Sequence, residues 1–260
     1  MRAKRRAPGV TLLTVLFLAV TAIGGAEEVL TLDLSAEDRA ALTAVLGEHV
    51  IGKAVAARAI EKPADWYPLD DRVLTYEITG GRGSGSTEDY VFERLEGDPR
   101  RVSARQGKDA VLYLGTAADG TIVIEAEETL GAKMLSRFTP PQPLVPSGMK
   151  VGETTEAETD VAVYRVGRPD RVKLTGALRV SCRYLGAFEV HVPSGRYTAV
   201  LLKSTFEGKI GPAIVRETEY RFLAEGVGSV AMVVKRNNSI LLIYRDRYEV
   251  GKVLKPATRR

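Results

Sequence analysis

Apolar and polar positions follow two rhythms along this chain. In the segment 27–62, between residues 33 and 62, the spacing is helical: Leu42, Val45 and Leu46 fall on one face of a helix. Ser35 followed by Asp38 predicts its start, the hydroxyl accepting a free amide while the acid reaches back. Gly47 predicts its end, and the Ala-rich stretch 53–61 predicts a second short helix before Pro63. This N-terminal helical segment is expected to lie over an edge or end of a sheet.

From Tyr67 onward the rhythm is two. Leu74, Tyr76 and Ile78 alternate with Thr75, Glu77 and Thr79, and Ile240, Leu242 and Tyr244 repeat the pattern near the end. Gly80-Gly81, Asp119-Gly120, Ser194-Gly195 and Asn237-Asn238 read as tight turns between such runs. Short strands without helical crossovers predict an antiparallel all-β fold for residues 63–252. The expected form is a curved sheet, as a sandwich or incomplete barrel.

The strongest strand signal begins at Arg171. Val172, Leu174, Leu178, Val180, Cys182 and Tyr184 share one face, and Arg171, Lys173, Thr175, Arg179, Ser181 and Arg183 share the other. The preceding segment has Glu156, Glu158 and Asp160 opposite a face of Ala157, Val161 and Val163. Joining the two through a turn at 167–170 sets Glu158 opposite Arg179, Val163 opposite Leu174 and Val166 opposite Arg171. Acid then meets base outside, and apolar meets apolar inside. Residues 139–148 hold four prolines in eight positions, Thr139 to Pro146. Because proline lacks a ladder amide, this stretch is expected as an extended crossing between two β subunits rather than a central strand.

Several motifs carry a resemblance. Trp66-Tyr67-Pro68-Leu69 opens the β region, and Lys150-Val151-Gly152 follows the Pro-rich stretch. Val192-Pro193-Ser194-Gly195-Arg196-Tyr197 and Gly226-Val227-Gly228-Ser229-Val230 come later. Over residues 66–236 the chain resembles an uncharacterised group of exported bacterial all-β proteins. In that group a Val-Pro-Ala-Gly-x-Phe-like turn precedes a strand opening on Gly-Val-Gly-x-Val. Ser194 stands where the pattern usually has Ala, and Leu74 where it often has Trp. The resemblance implies a signal-bearing curved sheet or partial barrel and implies no reaction. The residues themselves give Pro193 and Gly195 a turn, and give Gly226 and Gly228 a close strand approach or bulge. Strand-like Val230, Met232 and Val234 after Gly226-x-Gly228 exclude a dinucleotide loop, which needs a helix there.

Composition changes the picture mainly through residues 1–26. Arg2, Lys4, Arg5 and Arg6 precede an apolar run from Val10 to Ile23 and small residues 24–26, the layout of a secretory signal peptide. The run is shorter than the ~20 residues of a membrane-spanning helix. Removing those four bases from 37 leaves 33 Lys and Arg against 33 Asp and Glu. The apparent charge of +4 therefore vanishes, and with it the argument from overall charge for nucleic acid or an anionic membrane. An exported chain places the lone Cys182 in the periplasm or outside the cell, where it has no intramolecular partner and inert burial is expected.

Candidate chemistry is sparse. His49 and His191 lie in different regions, and His191 alternates with Val190 and Val192 onto a polar face beside Glu189. Gly83-Ser84-Gly85-Ser86 is a turn, not a nucleophile elbow. Glu125, Glu127 and Glu128 read as a solvated edge before they read as a cation site. No catalytic, metal or cofactor residues are assigned. The first functional reading is a non-catalytic exported protein holding an apolar ligand or a partner chain in a concave face. The second is a cell-envelope structural or assembly factor acting through a sheet edge. The third is a carboxylate-dependent enzyme acting on glycans, which requires two carboxylates facing across a cleft.

Overall fold

The computed structural model describes residues 30–98, 100–240 and 244–257. The predicted leader, residues 1–26, and Leu242 lie outside them. Ser35 starts the first helix as expected: its Oγ accepts from the Asp38 amide at 3.0 Å and donates to the Asp38 carboxylate at 2.8 Å. That helix, α1, spans Ala36–Leu46 and ends at Gly47, whose φ of 92° suits a residue without Cβ. The second expected helix is absent. Ile51–Val55 forms strand β1, and Ala57 and Ile60 make isolated bridges to Leu30 and Met149. Backbone pairing to a neighbouring strand here outweighs the modest helix preference of alanine. A single turn, α2, follows at Pro63–Trp66.

The alternating runs become β2 (Arg72–Gly81), β3 (Thr87–Arg94), β4 (Val102–Gln106), β5 (Ala110–Thr116) and β6 (Ile122–Thr129). They continue as β7 (Met134–Val145), β8 (Thr154–Arg165), β9 (Arg168–Val192) and β10 (Gly195–Ile210). The last three are β11 (Ala213–Ala224), β12 (Gly228–Ile240) and β13 (Tyr244–Leu254). From β2 to β13 every strand pairs antiparallel with its neighbour in sequence, and β13 returns to β2 through Lys252 opposite Ile78. The sheet is a closed twelve-stranded barrel, more specific than the expected sandwich or incomplete barrel; β1 is the extra strand, paired to β9.

The β8–β9 register agrees with the charge pattern: Glu158 opposes Arg179 and Val163 opposes Leu174. Nearer the tip two irregularities intervene, so Tyr164 meets Val172 and Arg165 meets Arg168 across a two-residue turn. Val166 therefore does not oppose Arg171. Three of the four prolines also depart from expectation, because Pro140, Pro141 and Pro143 sit within β7, with Pro143 opposite Val123 of β6; Pro146 follows the strand. β8 pairs with β7 only as far as Thr139, and the β6 register skips residues 138–141, so Pro140 and Pro141 have no ladder partner on either side and Pro143 has one on the β6 side alone. Asn237 and Asn238 are strand residues of β12, paired with Arg247 and Asp246. Gly80 and Gly81 end β2, and the turn lies at residues 82–85. Gly226 and Gly228 flank the β11–β12 turn at positive φ, and a Cβ at either would meet nothing within 4 Å. They serve the turn rather than a close approach.

Close approach occurs elsewhere. α1 lies on the outer wall against β12, β13 and β2. A Cβ on Gly80 or Gly251 would stand 2.6 or 2.5 Å from the Val45 carbonyl oxygen, so the helix end rests on bare backbone. Leu42, Val45 and Leu46 are buried on its inner face.

Candidate functional site

Pairing registers place one side of each strand toward the lumen. Across β9, β10, β11, β12 and β13 that row runs Tyr184, Leu202, Arg221, Met232 and Lys252. The next row toward the hairpin tips of β10–β11 runs Cys182, Ser204, Glu219, Val234 and Val250, and the one beyond it Val180, Phe206, Glu217 and Arg236. Each of these rows thus mixes apolar side chains with charged ones.

At the end occupied by α2, aromatic rings close the lumen. Tyr67 meets Phe92 edge-on with centroids 6.1 Å apart, and Tyr76 meets Tyr90 at 4.8 Å. The Tyr76 hydroxyl donates to the Ser229 carbonyl at 2.7 Å. Lys252 donates to the Tyr90 hydroxyl at 2.9 Å and pairs with Glu88, so this buried ammonium has two oxygen partners. Burial pushes the Tyr76 and Tyr90 hydroxyls well above the usual tyrosine range.

Above the rings lies an ionic group. Glu217 accepts from Arg236 Nε at 2.5 Å, and Glu219 Oε2 stands 2.5 Å from Arg221 Nη2. That same Oε2 is buried and out of line for any hydrogen bond with a described residue. Burial pushes the Glu219 carboxyl up to about 7; Arg221 opposes this shift and Glu217 adds to it. Glu127 of β6 reaches the same group: burial, then Glu217, raise its carboxyl, and Arg236 lowers it. The three acids expected on one solvated edge are therefore separated. Glu125 pairs outside with Arg101, accepting from its Nε at 2.8 Å, Glu128 lies beside Tyr113, and Glu127 turns inward. Irregular pairing on both sides of β6 separates them.

The remaining expected residues are unremarkable chemically. His49 is exposed, His191 is half-buried, and Glu189 pairs with Lys53 at 3.3 Å. Cys182 is buried in the lumen wall, and burial raises its thiol to about 11. Sequence reasoning missed Glu217, Glu219, Arg221 and Arg236. The one clue was that both faces of β11 end in apolar residues, Phe222 and Leu223, marking a strand buried on both sides.

Chemically, these carboxylates form pairs with arginine rather than a cleft. Glu217 and Glu219 are neighbours on one strand, where glycan hydrolysis needs two carboxyl groups flanking a sugar. The cavity touching Glu219, Arg221 and the tyrosines is about 30 Å³. Ligand pockets begin near ~300 Å³, so this space takes a water or two and no sugar ring. A larger recess of about 470 Å³ opens toward the hairpin end of β10–β13, lined by Arg216, Lys235, Arg236, Arg247, Tyr248 and Glu249 among others.

No protein-family model matches the chain, and no curated protein sequence is similar to it. Among solved structures it is similar to the hypothetical lipoprotein YmcC of Escherichia coli, at 9% identity and a TM-score of 0.38, covering 75% of this chain and 94% of that one. A protein of Parabacteroides distasonis described as a lipoprotein shares 14% identity at a TM-score of 0.35, over 74% and 97% of the two chains. A Bacteroides fragilis protein described as exported, with YmcC-like fold, shares 11% identity at 0.31, over 75% and 99%. Similarity at this level carries no argument about this chain, whose own geometry has to supply it.

Proposed function

We propose that this is an exported, non-catalytic β-barrel that acts through its surface on a partner in the cell envelope. The single observation that carries the reading is the closed α2 end of the barrel: among the described residues, aromatic rings and paired charges there leave a cavity of about 30 Å³. An apolar ligand in the concave face, the first reading from sequence, gains no support from so small a space. Barrel closure also narrows the second reading. The β2 and β13 edges pair with each other, so an edge-seeking partner is left with β1 and the end of β9 beyond its β10 ladder. The basic start and apolar run of residues 1–23 support export.

Native mass spectrometry of protein isolated from the envelope, paired with solvent extraction, tests this reading. The expected result is the mass of the chain from residue 27 onward with nothing bound. A stoichiometric apolar molecule released on denaturation would overturn it.

A further inference from the structure

The β8–β9 hairpin projects past its neighbour. Gly176 pairs with Ile210 at the end of β10, and the Gly211 amide donates to the Thr175 carbonyl at 2.9 Å, so residues 168–174 of β9 run beyond the β10–β11 turn. Only β8 flanks them, with the β6–β7 turn alongside, where the Val166 amide donates to the Lys133 carbonyl. This projecting end carries Arg165, Arg168, Arg171 and Lys173, all exposed, against one acid, Asp170. None of these four cations is in an ion pair with a described residue.

The same end carries bare aliphatic side chains. Val166 is 41% exposed, Val172 46% and Ile214 37%, making it the location of three of the five large apolar residues exposed among those described. The recess of about 470 Å³ opens at this end too, because Glu207 and Arg216 form the fourth residue pair below the β10–β11 turn. Lower on the wall, Glu156, Glu158, Arg179 and Arg183 are exposed, where a barrel embedded in lipid would present an apolar band.

We infer that the β8–β9 hairpin, through its unpaired cations and exposed valines, docks this barrel end-on upon a membrane surface rich in anionic headgroups. The inference rests on the surface-acting reading above and names its partner. Cations without protein partners are matched by phosphate headgroups, and valine side chains at the tip enter the headgroup boundary without desolvating a charge. A protein strand adding to the free edge of β9 would need neither the valines nor the clustered arginines.

Co-sedimentation of the signal-free chain with vesicles tests the inference. One set contains phosphatidylglycerol and phosphatidylcholine in equal parts, the other phosphatidylcholine alone. The wild-type chain is expected to pellet with the first set only and to be released by high salt. Each cation near an anionic surface contributes about fivefold, so Arg165→Gln with Arg168→Gln lowers the partition roughly 30-fold. Val166→Asp with Val172→Asp lowers it as well, while Val73→Asp, at an exposed site in β2, leaves it unchanged. Melting curves check each variant, and the Gln pair decides the matter if the Asp pair disturbs folding. Equal binding to both vesicle sets, no binding, or indifference to the Gln pair would overturn the inference. So would retention on soluble dextran sulfate without vesicle binding. Such a failure with an empty interior by mass spectrometry removes the lipid surface alone and leaves the surface-acting reading standing.

Discussion

Lys203, on the outer face of β10, sets its Nζ 2.7 Å from Oδ1 of Asp38 on α1. Tyr220 of β11 donates to the same oxygen at 2.8 Å, so one carboxylate ties the helix to two strands of the wall. The Asp38 residue is only 8% exposed, while the Lys203 side chain keeps 26% of its surface.

Asp38→Ala is expected to destabilise the protein by about 2–4 kcal/mol, a range below that of a wholly buried pair because Lys203 is partly hydrated. Burial alone would raise the Asp38 carboxyl; hydrogen bonds from Lys203, Tyr220 and Ser35 outweigh it and hold the group below its ordinary 3.8. A depressed carboxyl contributes stability above its unfolded value and loses it as pH falls through the folded one. The gap between wild type and Asp38→Ala in urea melts should therefore be full at pH 6 and close below about pH 4. A gap that does not change with pH would refute the assignment.

Gly251→Ala and Gly80→Ala are expected to loosen the end of α1, since each new Cβ would press on the Val45 carbonyl oxygen from 2.5 and 2.6 Å. The relief is a shift of the helix, at a cost of roughly 1–3 kcal/mol. Limited proteolysis would show earlier cleavage within residues 36–50. Gly131→Ala, where a Cβ meets nothing within 4 Å, is the matched control and should melt like wild type.

Glu219 gives the opposite pH signature. Its folded carboxyl is raised to about 7 against an ordinary 4.5, so the folded state binds more protons between those values. Stability from this group is therefore full below about pH 4.5 and declines as pH rises toward 7. In Glu219→Gln the decline between pH 5 and pH 7 should flatten. The absolute stability should also drop, because Arg221 loses the charge beside it. An unchanged slope in denaturant titrations at the two pH values would contradict this.

Cys182 should be silent to thiol reagents in the native state. A thiol raised to about 11 and fully buried has almost no accessible thiolate at neutral pH. Its modification by an aromatic disulfide should follow the unfolding rate across urea concentrations. A native-state rate near that of free cysteine would show that the lumen wall opens locally.

Much of this architecture was legible in local pattern. Ser35 with Asp38 marks the helix start through an interaction three residues long, and the acid and base faces of β8 and β9 fix their own pairing. The turn between those strands was misplaced because irregular pairing after Val163 removes residues from the count, and charge alternation carries no trace of it. Barrel closure joins Lys252 to Ile78, far apart in sequence, and no local rule reports such a pairing. The interior charges were missed for a different reason. Alternation shows that Glu217, Glu219 and Arg221 share a face, yet a solvated wall and a paired ionic lumen give the same alternation. Only the positions of the opposing strands decide which way that face points.

The meander order has a consequence for how the chain becomes a barrel. From β2 to β12 each new strand can add to the one just made, at the small entropic cost of a short loop. β2 must wait for β13, eleven strands further along the chain, before its outer backbone groups are satisfied. Throughout that interval the growing sheet has two sticky margins, the state in which β proteins join one another. A chain cut short before Tyr244 never leaves that state, so losing the eleven residues of β13 would leave the barrel open and prone to aggregate.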